Sequence, residues 1–581
     1  MQPSSRRALR EAAAKQAAVR TRAPWYRRPL LLVLLGLGVV VFAIVGWLGV
    51  KAFLVKENLE GARAALTSKE EGIGAAERMS RLAEKAKAAA AASDDPIWHA
   101  AEILPWAGSN LRAVRLTASA LDIIANDVGM AVFDLQADGQ GEVLRRAAPA
   151  IAGGAEKLAP IAAELRPIAD EGGLVGAVQE AADQALGVAD FAGILPDMLG
   201  LNGAKRYLLV FQNNAESVSL GGSAASQAMI IADGGDIQIA RQASSANFIE
   251  GLPVDVPVDD SALTLYSDYL VHHINTTTSR PDFPTAAQLM KAFWQRDIDA
   301  GPVDAVISLD PIALGRILLA TGPIEVQGKE ITSKNAVTVL LKNAYEWWNP
   351  YASKAEALAS DAFFAGVAAT VFEKVASGAF DVKDMLWAVN ESVARGDIYA
   401  WSDDPVLSRA IDGTAIAGVL PSDNAEATVM GVFFRDTSGS KIDYYMRSAV
   451  DLTASCTASR GTFTAKTTLH LDISQADADA LPRYVKSKDW GSEKFRTEVF
   501  VYGPPGTSFV SAEVEGADVR PLVTDVVDLG RPVVKFETFL RPSEKAVVTA
   551  QFAGDGAFGP LEARVTPMIK ATKVTVDDTC G

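Results

Sequence analysis

Leu30 to Val50 reads LLLVLLGLGVVVFAIVGWLGV, 21 residues without a charge. A helix of that length, rising about 1.5 Å per residue, spans the roughly 30 Å hydrocarbon core of a bilayer. Fifteen of the 21 are Leu, Ile, Val or Phe, each worth about 0.3–0.6 kcal/mol at the membrane centre. The sum, on the order of 5–9 kcal/mol, is an upper limit, because positions away from the centre count for less. The preceding tail carries eight Lys and Arg against Glu11 alone, a charge of +7. Positive-inside asymmetry predicts a cytoplasmic tail 1–29, a transmembrane helix 30–50 and an extracytoplasmic remainder, that is, a single-pass protein of the cell membrane. Trp25 and Tyr26 suit one interface and Trp47 the other. The competing reading is a cleaved signal peptide, with an apolar core of about 7–15 residues and a small-x-small cleavage site. Trp47-Leu48-Gly49-Val50-Lys51-Ala52-Phe53 is a poor site of that kind.

The net charge of −16 conceals a division. Without the +7 tail the rest carries −23, which argues against DNA or RNA as a partner. The basic tail beside an apolar span suits anionic headgroups instead, so membrane lipids are the expected partners of the anchor. At 49% hydrophobic residues the chain can build real cores. Its two cysteines, Cys456 and Cys580, both fall in the exported part. An even count in an oxidising compartment suggests one disulfide tying down the C-terminus; two buried free thiols are the alternative.

Three regions follow the tail and the span. Residues 51–200 read as a helical stalk and bundle. Leu59, Leu66 and Ile73 repeat at seven, although Gly72 and Gly74 interrupt the stripe. Ser93 or Asp94 is placed to cap the next helix, and Leu111, Val114, Ala118, Leu121, Ala125, Val128 and Val132 mark one face of another. His99 and Trp106 read as packing residues. Residues 201–425 alternate strand and helix, as in an α/β domain, beginning with the apolar run Tyr207–Phe211. Residues 426–581 read as strands separated by Gly and Pro turns, an antiparallel β-sandwich. The fold class is therefore α+β and multidomain.

Few motifs carry chemistry. Gly503-Pro504-Pro505-Gly506-Thr507 opens like a nucleotide P-loop but lacks the Gly-Lys-Ser/Thr that reaches phosphate and magnesium, so a turn between strands is expected. Gly221-Gly222-Ser223-Ala224-Ala225 imitates a nucleophile elbow without its final glycine. His272 and His273 are adjacent and, in a strand, would face opposite ways. No metal site and no cofactor are expected, and no residue is assigned as catalytic. The best candidate site is a polar loop after the first strand, because ligands of α/β sheets bind beyond the carboxyl ends of strands. It would hold Gln212, Asn213, Asn214, Glu216, Gly221 and Gly222, the two glycines letting backbone amides approach an anion. A turn whose Asn side chains bond their own backbone explains the same residues. Asp310-Pro311 is accounted for by a helix cap, as is Asp282 before Phe283-Pro284, and a ligand role for either is the minor alternative.

Several stretches together resemble the family catalogued as domain of unknown function 4012, membrane-anchored envelope proteins abundant in actinobacteria. They include Tyr207-Leu208-Leu209-Val210-Phe211-Gln212-Asn213-Asn214-Ala215-Glu216, Pro281-Asp282-Phe283-Pro284, Val303–Pro311, Trp401-Ser402-Asp403-Asp404-Pro405 and Ser440-Lys441-Ile442-Asp443-Tyr444-Tyr445. That family is similar, more distantly, to the LytR-CpsA-Psr proteins, which move lipid-linked glycopolymers onto peptidoglycan. The resemblance implies a LytR-CpsA-Psr-like α/β domain, with polyprenyl-phosphate glycopolymers or peptidoglycan as candidate partners. Pyrophosphate recognition calls for arginine forks, and here the sequence departs from the family pattern. Where an Arg is expected before the double glycine stand Ser217-Val218, and a second expected Arg is Ser360, leaving Arg241 as a weakly placed survivor. These losses favour a structural or binding role in envelope or cell-wall glycopolymer assembly over the alternative, a phosphoryl-type transferase of lipid-linked glycopolymers. Solute or lipid binding in the α/β domain is a third reading.

Overall fold

The computed structural model describes residues 29–67, 75–105, 107–138, 142–457, 460–516 and 518–580. The basic tail with Trp25 and Tyr26, the interruption at 72–74 and Trp106 lie outside these residues. The protein is a mixed α/β structure with several sheets, and it divides into two compact units. One comprises the described residues up to Met130 together with Lys157–Ala189, the other Ala131–Glu156 with Asp190 onward.

The first unit is helical. The apolar run Leu30–Val50 opens a helix, Pro29–Thr67, which packs along Ala75–Ser93 through Ala62, Leu82 and Ala86. Alanine at the contact lets two backbones approach closely. The cap of the next helix, Pro96–Ala101, is neither Ser93 nor Asp94 but Asp95, whose carboxylate takes the Ile97 N–H at 2.9 Å. Pro96 fills the first helical position, which puts the cap one residue later than expected. Gly108–Asp122 continues into a π-helical turn, Ile123–Gly129, where Asn126 Nδ2 donates to the Ala83 carbonyl at 2.9 Å. Among the described residues, the helices Gly108–Ala137 and Lys354–Ala376 are long and apolar enough to cross a membrane. Lys354–Ala376, in the second unit, buries Phe363, Val367 and Val371 in a core, so part of its apolar surface is already partnered.

In the second unit β1 (Lys205–Val218), β2 (Gly221–Asp233), β3 (Asp236–Ser244) and β4 (Ala305–Leu309) form a sheet with a later strand, Ile398–Ser402. Between them lies a hairpin of β5 (Ile324–Val326) and β6 (Lys329–Ile331). With Ile398–Ser402 as β7, the sheet order is β3-β2-β1-β4-β7; β1 and β4 are parallel and the other pairs antiparallel. The Tyr207–Phe211 part of β1 is apolar without alternation because both its faces are covered. Leu208 and Val210 meet a core with Phe283, Met290 and Trp294 of helix Phe283–Asp297. Leu209 and Phe211 meet the opposite core, built from helices Pro311–Thr321 and Lys354–Ala376.

The C-terminal region contains β8 (Thr428–Asp436), β9 (Met446–Cys456), β10 (Arg460–Leu471), β11 (Phe495–Tyr502) and β12 (Ser508–Gly516). It continues with β13 (Asp518–Asp528), β14 (Arg531–Leu540), β15 (Lys545–Asp555), β16 (Leu561–Val565) and β17 (Lys573–Asp578). They form two sheets, β12-β15-β10-β9-β17 and β13-β14-β11-β8-β16. The sheets share a core of Val432, Phe434, Leu452, Phe463, Val499 and Phe552. Alternate residues of the second sheet, Phe433, Phe500, Tyr502 and Val533, turn the other way into the core beneath helix Phe283–Asp297. That sheet is thus a middle layer, apolar on both faces. Its edge strand β16 and the edge strand β17 pair in parallel with β8 and β9, where antiparallel pairing alone was expected. β7, β13 and β16 were not legible in the sequence; β13 carries Pro521, which an edge strand tolerates. Cys456 and Cys580 form a disulfide, Cα–Cα 4.9 Å, at the end of the β9–β17 pair.

Candidate functional site

The expected polar loop 212–223 is strand. β1 runs to Val218 and β2 starts at Gly221. The register between them jumps from Asn213↔Ser223 to Ser217↔Gly222, so Asn214, Ala215 and Glu216 bulge from the ladder. The bulge requires Gly222, since a Cβ there would stand 2.3 Å from the Asn213 carbonyl carbon. The Gly222 N–H is already given to Gln212 Oε1 at 2.9 Å, so it is no free anion donor. A polar stretch can be buried here because most of its side-chain groups are paired, Asn214 Oδ1 excepted. Gln212 Nε2 donates to Ser308 Oγ at 3.1 Å and Asn213 Nδ2 to the Tyr345 hydroxyl at 2.9 Å. Asn214 Nδ2 donates to Asp310 Oδ2 at 2.7 Å and to the Pro567 carbonyl at 3.0 Å.

Beside this bulge opens a cleft of about 770 Å³, within the usual range for small-molecule sites, roughly 300–1,000 Å³. Of the sequence-derived residues it is lined by Gln212, Asn213, Glu216 and Asp310. Asn214 backs Asp310, and Gly221 and Gly222 form the hairpin behind. Asp310 is the cap of helix Pro311–Thr321, accepting from the Ile312 and Ala313 amides. Burial pushes its carboxyl well above the usual range, and the charge of Asp397 adds to this. Arg241 lies elsewhere, donating to the Ile298 carbonyl. Asp282 also lies elsewhere, taking the Thr285 hydroxyl and standing 3.6 Å from Arg280.

The cleft's charge is decided by Lys441, which is 4% exposed. Its ammonium pairs with Glu216 and stands 4.4 Å from the Tyr484 ring centre and 5.1 Å from that of Tyr345. Burial alone would lower its pKa; the Glu216 carboxylate and the tyrosines more than reverse that and hold it charged. Removing one partner of a buried pair costs about 3–5 kcal/mol because the other is left charged. Lys441 is the one cation among the described lining residues, against Glu216, Glu250, Asp310 and Asp361. Next to it Asp443 accepts the Ser217 N–H at 3.0 Å and the Ser217 hydroxyl. Burial raises the Asp443 pKa well above its ordinary value, and the neighbouring charge of Asp436 raises it further. On β2, Gln227 is 1% exposed, lines the cleft and has no partner for either amide atom among the described residues.

Lys441, Asp443, Tyr345, Tyr484 and Gln227 escaped sequence reasoning. The Ser440–Tyr445 stretch, dense in polar residues between two strands, was the available signal for the first two. Among the described residues no group of three or more His, Cys, Asp or Glu is placed to hold a metal ion. The arrangement can orient a ligand by hydrogen bonds, and among the described lining residues it offers no free cation for a phosphoryl group.

Residues 202–345 match the family model described as Protein of unknown function (DUF4012). The matched stretch runs from just before β1 to Tyr345. No curated protein matches the chain.

The raised pKa of Asp443 sets a pH dependence. Asp443 keeps its proton to higher pH in the folded than in the unfolded chain, where about 3.9 is ordinary. Its stabilising contribution is complete below that value and is lost as pH rises through the raised one. Asp443→Asn cannot ionise. Urea midpoints of the detergent-solubilised protein, taken from about pH 4 to about pH 8, should show the wild type losing stability relative to the variant as pH rises. A difference that stays constant would contradict this assignment.

Proposed function

We propose that this is a single-pass, membrane-anchored protein of the cell envelope, with a cytoplasmic tail 1–29. On this reading the rest of the chain lies outside the membrane and binds a ligand during envelope or cell-wall glycopolymer assembly, without catalysing transfer. Its parts would be a helical stalk and bundle, a LytR-CpsA-Psr-like α/β domain over 201–425 and a β-sandwich over 426–581. The anchor is supported by the uncharged run Leu30–Val50 at the start of a long helix.

The binding role rests on one observation above the others. Lys441, the cleft's one cation among the described residues, is committed to Glu216 and boxed by two tyrosines. Phosphoryl transfer needs cations facing the phosphate oxygens. The two positions where family arginines are expected carry uncharged residues, Val218 after Ser217 and Ser360. The transferase alternative would need charge that this lining does not supply.

Two measurements test the reading. A periplasmic-type reporter fused after Gly581 should be active and a cytosolic one silent; the reverse would refute the topology. Native mass spectrometry of the detergent-purified full chain with added undecaprenyl phosphate should show no saturable adduct. A one-to-one adduct that disappears in Lys441→Met would return the protein to the transferase class.

A further inference from the structure

We propose that the cleft beside β1 to β3 binds an amphiphile with an uncharged, hydroxyl-bearing head, by chemical class a glycosylated alkyl chain. The inference deepens the binding role proposed above and rests on it. It starts from Gln227. Both ends of this amide are buried without a protein partner among the described residues, and a buried polar group left unmet is destabilising. An occupant that meets both must accept from Nε2 and donate to Oε1. A hydroxyl does both, an ionised phosphate or carboxylate only accepts, and an ammonium only donates. The amide therefore selects against anions and cations alike.

The surrounding wall agrees with a neutral head. Gln242 Nε2 is used by the Ala365 carbonyl at 3.1 Å, leaving its carbonyl oxygen, and Ser226 and the buried Ser360 add hydroxyls to the lining. Tyr351 and Tyr484 lie edge to face, centroids 4.8 Å apart, and both line the cleft. Aromatic rings of this kind offer apolar faces for the C–H side of a sugar ring. The other wall is aliphatic. Leu314, Leu340, Leu341 and Val367 line the same cleft and are each at most 4% exposed. A head that forms hydrogen bonds and a tail that removes CH₂ groups from water would use both walls at once.

The test uses the full chain in phosphatidylcholine nanodiscs and octyl glucoside carrying a diazirine at the end of its alkyl chain. After photolysis, labelled peptides are mapped by mass spectrometry, with unlabelled octyl glucoside or octyl phosphate as competitor. Labels should fall within residues 340–368. Octyl glucoside should compete at a concentration at least about tenfold below that of octyl phosphate, an affinity ratio worth about 1.4 kcal/mol. Gln227→Leu should cut labelling several-fold, and so should Leu340→Trp, which fills the tail end; unchanged near-ultraviolet circular dichroism shows that each variant is folded. If Leu340→Trp does not fold, Gln227→Met decides the matter by the same criterion. Labelling that folded Gln227 variants leave unchanged, or that is scattered over the chain, overturns the ligand class and leaves the binding role standing. Stronger competition by octyl phosphate overturns both.

Discussion

The Glu216–Lys441 ion pair, with the Ser217–Asp443 hydrogen bonds beside it, fastens the bulge of β1 to the segment that leads from β8 into β9. A second junction lies on the far side of the same sheet. There Arg280 donates to Asp528 and to Asp259, each at 2.6 Å, and Tyr502 links Asp528 to Tyr266 through hydroxyl contacts of 2.8 and 2.7 Å. Buried ion pairs contribute little net stability against apolar replacements of equal shape. Their effect here is geometric. They hold the middle sheet, apolar on both faces, in one register on the α/β layer, where hydrophobic contact alone would allow it to slide.

The same pair sets the electrostatics of the cleft. A bulge of three residues turns Glu216 out of the ladder, and Lys441 arrives from a segment 225 residues later to neutralise it. With that cation occupied, the lining is left neutral to acidic. What remains for recognition is a set of amides and hydroxyls on one wall and leucines on the other. A strand that would ordinarily end in a solvent loop thus becomes the buried, fully structured floor of a site.

Much of the fold was readable wherever one local rule decided it. Asp310-Pro311 declared a helix start. The Gly503–Thr507 turn and the pairing of Cys456 with Cys580 were equally legible. The rule failed where burial came from distant partners. Gln212–Val218 looks like loop because most of its residues are polar, yet Ser308, Tyr345, Asp310 and Asp443 form hydrogen bonds with them from far along the chain. β7 and β16 are five-residue strands, too short to show a period. For the site, four of the nine expected ligand residues line one cleft. The residues that fix its character, Lys441 and Gln227, carry no local signature, because what matters about them is who does or does not pair with them.

The state of Lys441 can be measured directly. The full chain in detergent is exposed to an amine-acylating reagent under native conditions, and the modification rate of each lysine is followed by mass spectrometry. Lys441, buried and paired, should stay unmodified while the exposed Lys573 reacts, and inorganic pyrophosphate should change neither rate. Lys441 reacting as fast as Lys573, with pyrophosphate protecting it, would mean a free cation in the cleft and would contradict the account.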